Sequence, residues 1–277
     1  MTDVELVVTD LDGTFWDRET QVAPSVLAAV AELDRRRVPL LVATGRRVAS
    51  TRGPLGRAGL TPPAVVLNGA MGLHLGTLER FHVAPFVLDE ALAVYDAFVD
   101  AGVSPVVYVD DPHVDVFISD RTSTHPSHVE QLGDTAGVRP SSTSPHDDLR
   151  AAVAASPVLG FGVIGFPFDA AESAFAALVG IAEPHLDRSI EYPGLAAMTV
   201  APRHQSKWDG VLAYCRAQGI DSTKVMAVAD GPNDIELLTN AAVRVVPKIA
   251  HPTALELATA VIPSAEDGGW SEVPSLL

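Results

Sequence analysis

Cysteine is nearly absent. Cys215 is the single one in 277 residues, which excludes an internal disulfide framework and any multi-cysteine zinc site. Its helical spacing behind Val211 and Leu212 makes it a reduced core thiol. Basic charge is also scarce, with 19 Lys and Arg against 35 Asp and Glu and a net charge of -16. A field of that sign repels phosphate backbones and anionic lipid, so neither nucleic acid nor a membrane surface is expected as a partner. An anionic small substrate then needs a local cation. No long apolar run is unbroken either: the charge-free stretch from Ala151 to Phe168 contains Ser156, Pro157, Pro167 and three glycines. It reads as a buried strand with its flanking turns rather than a membrane span. The start Met-Thr-Asp-Val-Glu is acidic where a secretory signal is basic, which points to the cytoplasm. Disorder is excluded by an apolar content of 47%.

Short β-branched runs alternate with segments of helical periodicity, the pattern of a doubly wound parallel sheet covered by helices. Leu6-Val7-Val8 reads as a strand, Val26, Leu27, Val30 and Leu33 as one helical face behind Pro24, and Leu40-Leu41-Val42 as the next strand. Val65-Val66-Leu67 follows in the same style. Far downstream come a helix on Trp208, Val211, Leu212 and Cys215, a strand at Val225 to Val228, a helix on Ile235, Leu237 and Leu238, and a strand from Val243 to Val246. A helix around Leu255 and a strand at Val261-Ile262 close the chain. Residues 85–200 differ in texture, with a helix at Leu88 to Val99, strands at Val106 to Tyr108 and Val114 to Ile118, a Ser/Thr/His/Pro-rich region, and a helix at Ala170 to Val179. The expectation is an α/β core, 1–84 plus 201–277, interrupted by an inserted α/β module at 85–200.

Ligands of open parallel sheets bind outside the carboxyl ends of the strands. The first strand ends in Asp10-Leu11-Asp12-Gly13-Thr14, the second in Thr44-Gly45-Arg46, the third in Asn68-Gly69, and a later one in Asp230-Gly231-Pro232-Asn233-Asp234. Asp10, Asp12, Asp230 and Asp234 then crowd one rim, where several carboxylates cannot all stay ionised without a cation. An all-oxygen site with no cysteine and no nearby histidine suits Mg²⁺. Taken singly, each piece has a plainer reading: a turn at Asp10 to Thr14, a cap at Thr44, a solvated Lys207, and a helix start at Asp230 to Asp234 favoured by the macrodipole. Their order at strand ends is what argues for a site.

These residues carry a resemblance. Asp10-Leu-Asp12-Gly-Thr14, Thr44-Gly45-Arg46, Asn68-Gly69, Lys207 and Asp230-Gly-Pro-Asn233-Asp234 resemble the ordered motifs of the haloacid dehalogenase superfamily of phosphohydrolases. The likeness is to its Cof-like members with a type IIB α/β cap inserted after the third strand, and it spans nearly the whole chain. It implies that Asp10 attacks phosphorus to form an aspartyl-phosphate and that Asp12 is the general acid/base. Asp10, the Asp12 carbonyl and Asp230 would hold Mg²⁺. Thr44 and Lys207 would contact the phosphoryl group, with Gly45, Arg46 and Asn68 on the substrate side, and Asn233 and Asp234 would orient the metal's waters and Lys207.

The implied activity is hydrolysis of a small phosphorylated metabolite, a sugar phosphate for example. A phosphomutase shares the covalent step, and a receiver-type signalling domain shares the rim of acids, threonine and lysine. The second aspartate, Asp12, argues against signalling because it speeds turnover of the phospho-protein, and an inert binding protein is disfavoured because no principal motif residue is missing. Departures from the family pattern are Ala229 in place of a glycine, the run Val243 to Lys248, which offers Lys248 as an extra cation, and Trp16, read as packing or as a wall of the leaving-group pocket. In the insertion, Asp110, Asp111, Asp115, Asp120, Arg121, His125 and His128 are polar enough to meet a sugar but read as solvated faces and a helix start, and none is assigned to the site.

Overall fold

The computed structural model describes residues 3–110, 116–120, 143–189 and 192–277, excepting the side chains of 116–120 and 143–146. The chain forms two compact units, Met1–Val83 with Ser206–Leu277, and Ala84–Gln205. In chain order the first unit begins β1 (Leu6–Thr9), α1 (Pro24–Arg36), β2 (Leu40–Ala43), α2 (Val48–Arg57), β3 (Pro63–Val66), β4 (Met71–His74) and β5 (Arg80–Val83). The second unit holds α3 (Leu88–Asp100), β6 (Val106–Val109), β7 (Val116–Asp120), β8 (Thr143–His146), α4 (Leu149–Ala154), β9 (Val158–Phe166), α5 (Phe168–Leu178), β10 (Glu183–Arg188) and β11 (Ala196–Ala201). The first unit resumes with α6 (Lys207–Gln218), β12 (Val225–Val228), α7 (Ile235–Asn240), β13 (Val243–Pro247), α8 (Pro252–Leu257) and β14 (Ala260–Ile262).

The first unit is an eight-stranded sheet in the order β14-β13-β12-β1-β2-β3-β4-β5. It is parallel from β14 to β3 and antiparallel at β4 and β5. Every residue of β1 and of β12 is buried, as expected of parallel strands with helices on both faces. Strand order runs outward in opposite directions from the β1/β12 pair, which makes that pair the topological switch point where a crevice opens. Pro24 starts α1 at a position where its missing N–H is not needed, and Val26, Ala29, Val30 and Leu33 form its buried face.

The second unit carries a six-stranded sheet in the order β10-β11-β9-β6-β7-β8, antiparallel except for β7 with β8. Val94, Phe98, Val153, Phe161, Ala174 and Leu178 lie in its core. Three expectations need correcting. Residues 151–154 belong to α4, so the charge-free stretch is a helix end, a turn and then the strand β9. Leu67 leaves the third strand for a 3-10 turn. The β4–β5 hairpin, α2, β10 and β11 were not expected. Of the strand expected from Val114 to Ile118, Val114 and Asp115 lie outside the described residues, as do Asp111, Arg121, His125 and His128 and the side chain of Asp120. Among the described residues no helix is long and apolar enough to cross a membrane.

Two contacts position the site. Helix α6 opens with a capping box between Ser206 and Asp209 and then backs onto β3 at Gly210, where a Cβ would meet the Val65 side chain, 2.9 Å from its Cγ2. Only hydrogen fits there, and the closeness carries the first turn of the helix over the strand ends. From the other face, the C-terminal 3-10 segment Gly269–Leu276 buries Trp270, whose indole donates to Thr9 Oγ1 at 2.9 Å. Gly210→Ala is therefore expected to lower stability by about 1–3 kcal/mol through overpacking, although alanine is the better helix former by about 1 kcal/mol. Val65→Ala added to it should recover most of the loss. Denaturant unfolding measures both, and a Gly210→Ala protein as stable as the wild type would contradict the close approach.

Candidate active site

Asp10 is the first residue past β1, buried at 6% exposure, and its N–H donates to Val228 O of the neighbouring strand at 2.9 Å. After it the chain turns sharply. Leu11 O accepts the N–H groups of Thr14, Phe15 and Trp16 at 3.3, 2.9 and 3.2 Å, and Gly13 takes φ 70°. Glycine is required there twice over, by the left-handed backbone and because a Cβ would strike the Asp230 carboxylate. The turn aims the Thr14 hydroxyl at Asp230 Oδ1, 2.7 Å away. Thr14 thus ties the first motif to the last, a role its place in the motif did not disclose.

Lys207, at the start of α6, is 1% exposed. Its ammonium donates to Asp10 Oδ1 at 2.8 Å and to Asp234 Oδ1 at 2.7 Å. Asp234 Oδ2 accepts the Gly231 N–H at 3.0 Å, so both its oxygens are engaged. Asn233 donates to Asn68 Oδ1 at 2.9 Å. Asn68 is buried with φ 53°, next to Leu67 at φ 52°. Asparagine tolerates the left-handed region, whereas leucine there is strained. A Cβ on Gly45 would lie 2.9 Å from Asn68 Oδ1, so the second and third strand ends also pack closely. Thr44 is 1% exposed, and its Oγ1 accepts the Arg46 N–H at 3.2 Å, which leaves the hydroxyl proton to donate.

Asp12 stands apart from this cluster. Its carboxylate accepts Arg46 Nε at 2.6 Å and Nη2 at 2.7 Å, a bidentate pair, and Trp16 Nε1 at 3.0 Å. Arg46, expected on the substrate side, thus lies against Asp12. Lys248 does not reach the cluster: it pairs with Asp267 at the surface, 2.8 Å away. The Ala229 methyl is buried in the core with Leu238 and Val246. Asp110 is described but stands in the other unit.

Asp10, Asp230 and Asp234 each offer an oxygen within 4.8 Å of the others. Burial raises the Asp10 pKa well above the usual carboxylate range; Lys207 opposes this, while Asp234, Asp230 and Asp12 add to it. Burial likewise lifts Asp230 to about 7, against its bond from Thr14. Burial disfavours the Lys207 charge, but Asp10 and Asp234 outweigh it and hold the ammonium firmly protonated. Lys207 pairs with Asp10 and Asp234 but not with Asp230, so with all three carboxylates ionised the cluster is two positive charges short, the charge that one divalent ion could supply. All the donors are hard oxygens. With Asp234 engaged twice, Asp10 and Asp230 are the side chains that keep an oxygen for a metal.

A family model described as haloacid dehalogenase-like hydrolase matches residues 7–273. The chain belongs to that family. A relative from Methanopyrus kandleri, named phosphoglycolate phosphatase, is 24% identical over 265 residues, which is 95% of this chain and 92% of that one. Among solved structures, a haloacid dehalogenase-like hydrolase from B. subtilis aligns with TM-score 0.79 at 16% identity over 99% of each chain. The subclass IIB sugar phosphatase BT4131 aligns with TM-score 0.74 at 20% identity over 98% of each chain. These structural likenesses speak for the fold, a doubly wound core with an inserted α/β unit.

The charge imbalance in this haloacid dehalogenase-like hydrolase has a measurable sign. Because the Asp230 pKa is raised from 3.8 to about 7, its contribution to stability is full below 3.8 and is lost as pH rises through about 7. At pH 8 without divalent ions, Asp230→Asn should therefore unfold at or above the wild-type temperature. Adding Mg²⁺ or Mn²⁺ at about a hundred times its Kd should stabilise the wild type by about 2.7 kcal/mol and the variant much less. Calorimetry reads both, and equal cation responses would remove Asp230 from the metal site.

Proposed function

We propose that this chain is a Mg²⁺-dependent phosphatase that hydrolyses a small phosphorylated metabolite, a sugar phosphate in the first instance, through an aspartyl-phosphate on Asp10. The observation that carries the reading is the buried Asp10 carboxylate, bonded to Lys207 at 2.8 Å within a cluster short of two positive charges. Such a cluster suits a divalent ion and a phosphate together. Family membership, a relative named phosphoglycolate phosphatase and a structural neighbour named sugar phosphatase support the substrate class.

An Asp10 oxygen attacks phosphorus, the ester P–O bond breaks, and Asp12 gives a proton to the leaving alcohol. Water then attacks the same phosphorus while Asp12 takes its proton, the bond from Asp10 to phosphorus breaks, and inorganic phosphate leaves with the Asp10 carboxylate restored. Lys207 and the Thr44 hydroxyl meet the phosphoryl oxygens as charge builds on them, with the Gly45 backbone and Asn68 beside them. Asp10, Asp230 and the Asp12 carbonyl would hold Mg²⁺, which when bound offsets the repulsion between carboxylate and phosphate and keeps the two in line. Asp234 holds Lys207 in place, and Asn233 braces Asn68.

The purified protein should release phosphate from p-nitrophenyl phosphate with Mg²⁺ and not after chelation. Asp10→Asn should end turnover with the fold intact, and Asp12→Asn should slow hydrolysis of an alkyl phosphate, whose leaving group needs a proton, by about two to four orders of magnitude. Wild-type turnover in Asp10→Asn would refute the nucleophile, and a loss below about tenfold in Asp12→Asn would remove it from acid/base work. A screen of phosphorylated metabolites, read as released inorganic phosphate against isomerised ester, names the substrate and separates hydrolysis from phosphate migration.

A further inference from the structure

We propose that Trp16 is a positioning residue for Asp12. Its indole N–H and the Arg46 guanidinium together clamp the Asp12 carboxyl group, leaving one place on Oδ2 for the proton that group transfers. The proposal rests on the reading of Asp12 as the acid/base.

The clamp follows from the turn after β1. Asp12 and Trp16 pair as an isolated bridge, which sets the indole beside Asp12 Oδ1 at 3.0 Å. Arg46 reaches the same carboxylate from the second strand end, Nη2 to Oδ1 at 2.7 Å and Nε to Oδ2 at 2.6 Å. Its guanidinium carbon also lies over the Trp16 ring, 5.1 Å from the centroid, a cation–π distance. Trp16 is 1% exposed, so its indole is fixed by packing on the protein side, while the Asp12 side chain, 33% exposed, keeps a face open to a reacting group.

A carboxyl group has about four acceptor positions. Two donors meet Oδ1, one meets Oδ2, and the remaining position is on Oδ2. Arg46 alone does not choose between the oxygens, because its fork offers one N–H to each. The indole breaks that symmetry by filling the second place on Oδ1. Phenylalanine in this place keeps an aromatic ring, smaller than the indole, and leaves Oδ1 a donor short. The assigned step balances. An Asp10 oxygen bonds to phosphorus, the ester P–O pair goes to the leaving oxygen, and the proton on Asp12 Oδ2 passes to that oxygen. Asp12 is left as a carboxylate with every clamp donor in place.

The test uses leaving groups that differ in their need for a proton. Nitrophenolate departs without one, whereas an alkoxide does not. With Mg²⁺, kcat/KM is measured for p-nitrophenyl phosphate and for an alkyl phosphate that the wild type hydrolyses. Trp16→Phe is expected to lower the alkyl-to-aryl ratio about tenfold, the worth of one hydrogen bond to a charged group. Added to Asp12→Asn, the same change should leave the ratio within about twofold, because Trp16 acts through Asp12. Equal losses on both esters, or an undiminished effect in the Asp12→Asn background, would overturn the clamp. If the wild type hydrolyses neither ester, the phosphatase reading fails. A second measurement tests the clamp without turnover and without relying on the fold of Trp16→Phe: the Trp16 indole N–H resonance should be protected from exchange in the wild type and should move in Asp12→Asn. A resonance that stays put overturns the proposal.

Discussion

The Lys207 ammonium, held between Asp10 and Asp234 out of contact with water, is the interaction on which the rest of the site depends. A buried charge is tolerated only when its partners are close and well placed. Here several separate features serve that placement. Gly210 lets α6 lie against Val65, the Ser206–Asp209 box fixes the first turn of that helix, and the Gly231 N–H steadies Asp234 from the far side. Asp10 in turn is anchored by its own N–H to Val228 O. Its carbonyl accepts the Thr9 hydroxyl at 2.7 Å, and Trp270 donates to that hydroxyl. The sheet's change of direction at β1 and β12 makes Asp10 and Asp230 neighbours, although 220 positions separate them in the numbering.

The acids at this rim fall into two electrically distinct groups. Asp12 is neutralised by Arg46 and oriented by Trp16. Asp10, Asp230 and Asp234 are under-neutralised. That division matches two tasks: a group that carries a proton must keep its direction, and a group that binds a cation must keep unmet negative charge. In a protein of net charge -16, Lys207 is the positive charge beside Asp10 that chemistry with an anionic ester requires, while Arg46 is engaged by Asp12.

Much of this was legible in the chain. The strand-end motifs were readable because parallel strands buried on both faces are short apolar runs, and the polar residues at their ends stand out against them. Val225 to Val228 followed by Asp230 is the clearest case. The β4–β5 hairpin went unread because each strand is only four residues long: Met71 and Leu73, then Phe81 and Val83, alternate with glycine, histidine and arginine over too short a run to stand out. Strand β10, Glu183–Arg188, is an edge strand with no residue fully buried, and its polar sequence carries no alternation to detect. Inside the site, identity was easier than partnership. Arg46 and Trp16 both drew notice, but a charge pair across 34 positions and an indole bond across four follow from the Gly13 turn. Spacing in the chain does not encode that turn's direction. The Thr14 bond to Asp230, 216 positions away, was hidden for the same reason.

The central claim is that Asp10 and Asp230 share one divalent ion at the β1/β12 edge. Its most direct measurement is anomalous diffraction from crystals soaked in Mn²⁺. One strong peak is expected within coordination distance of both carboxylates, and none there in crystals of Asp230→Asn. A peak elsewhere, or none between these residues at saturating manganese, would contradict it.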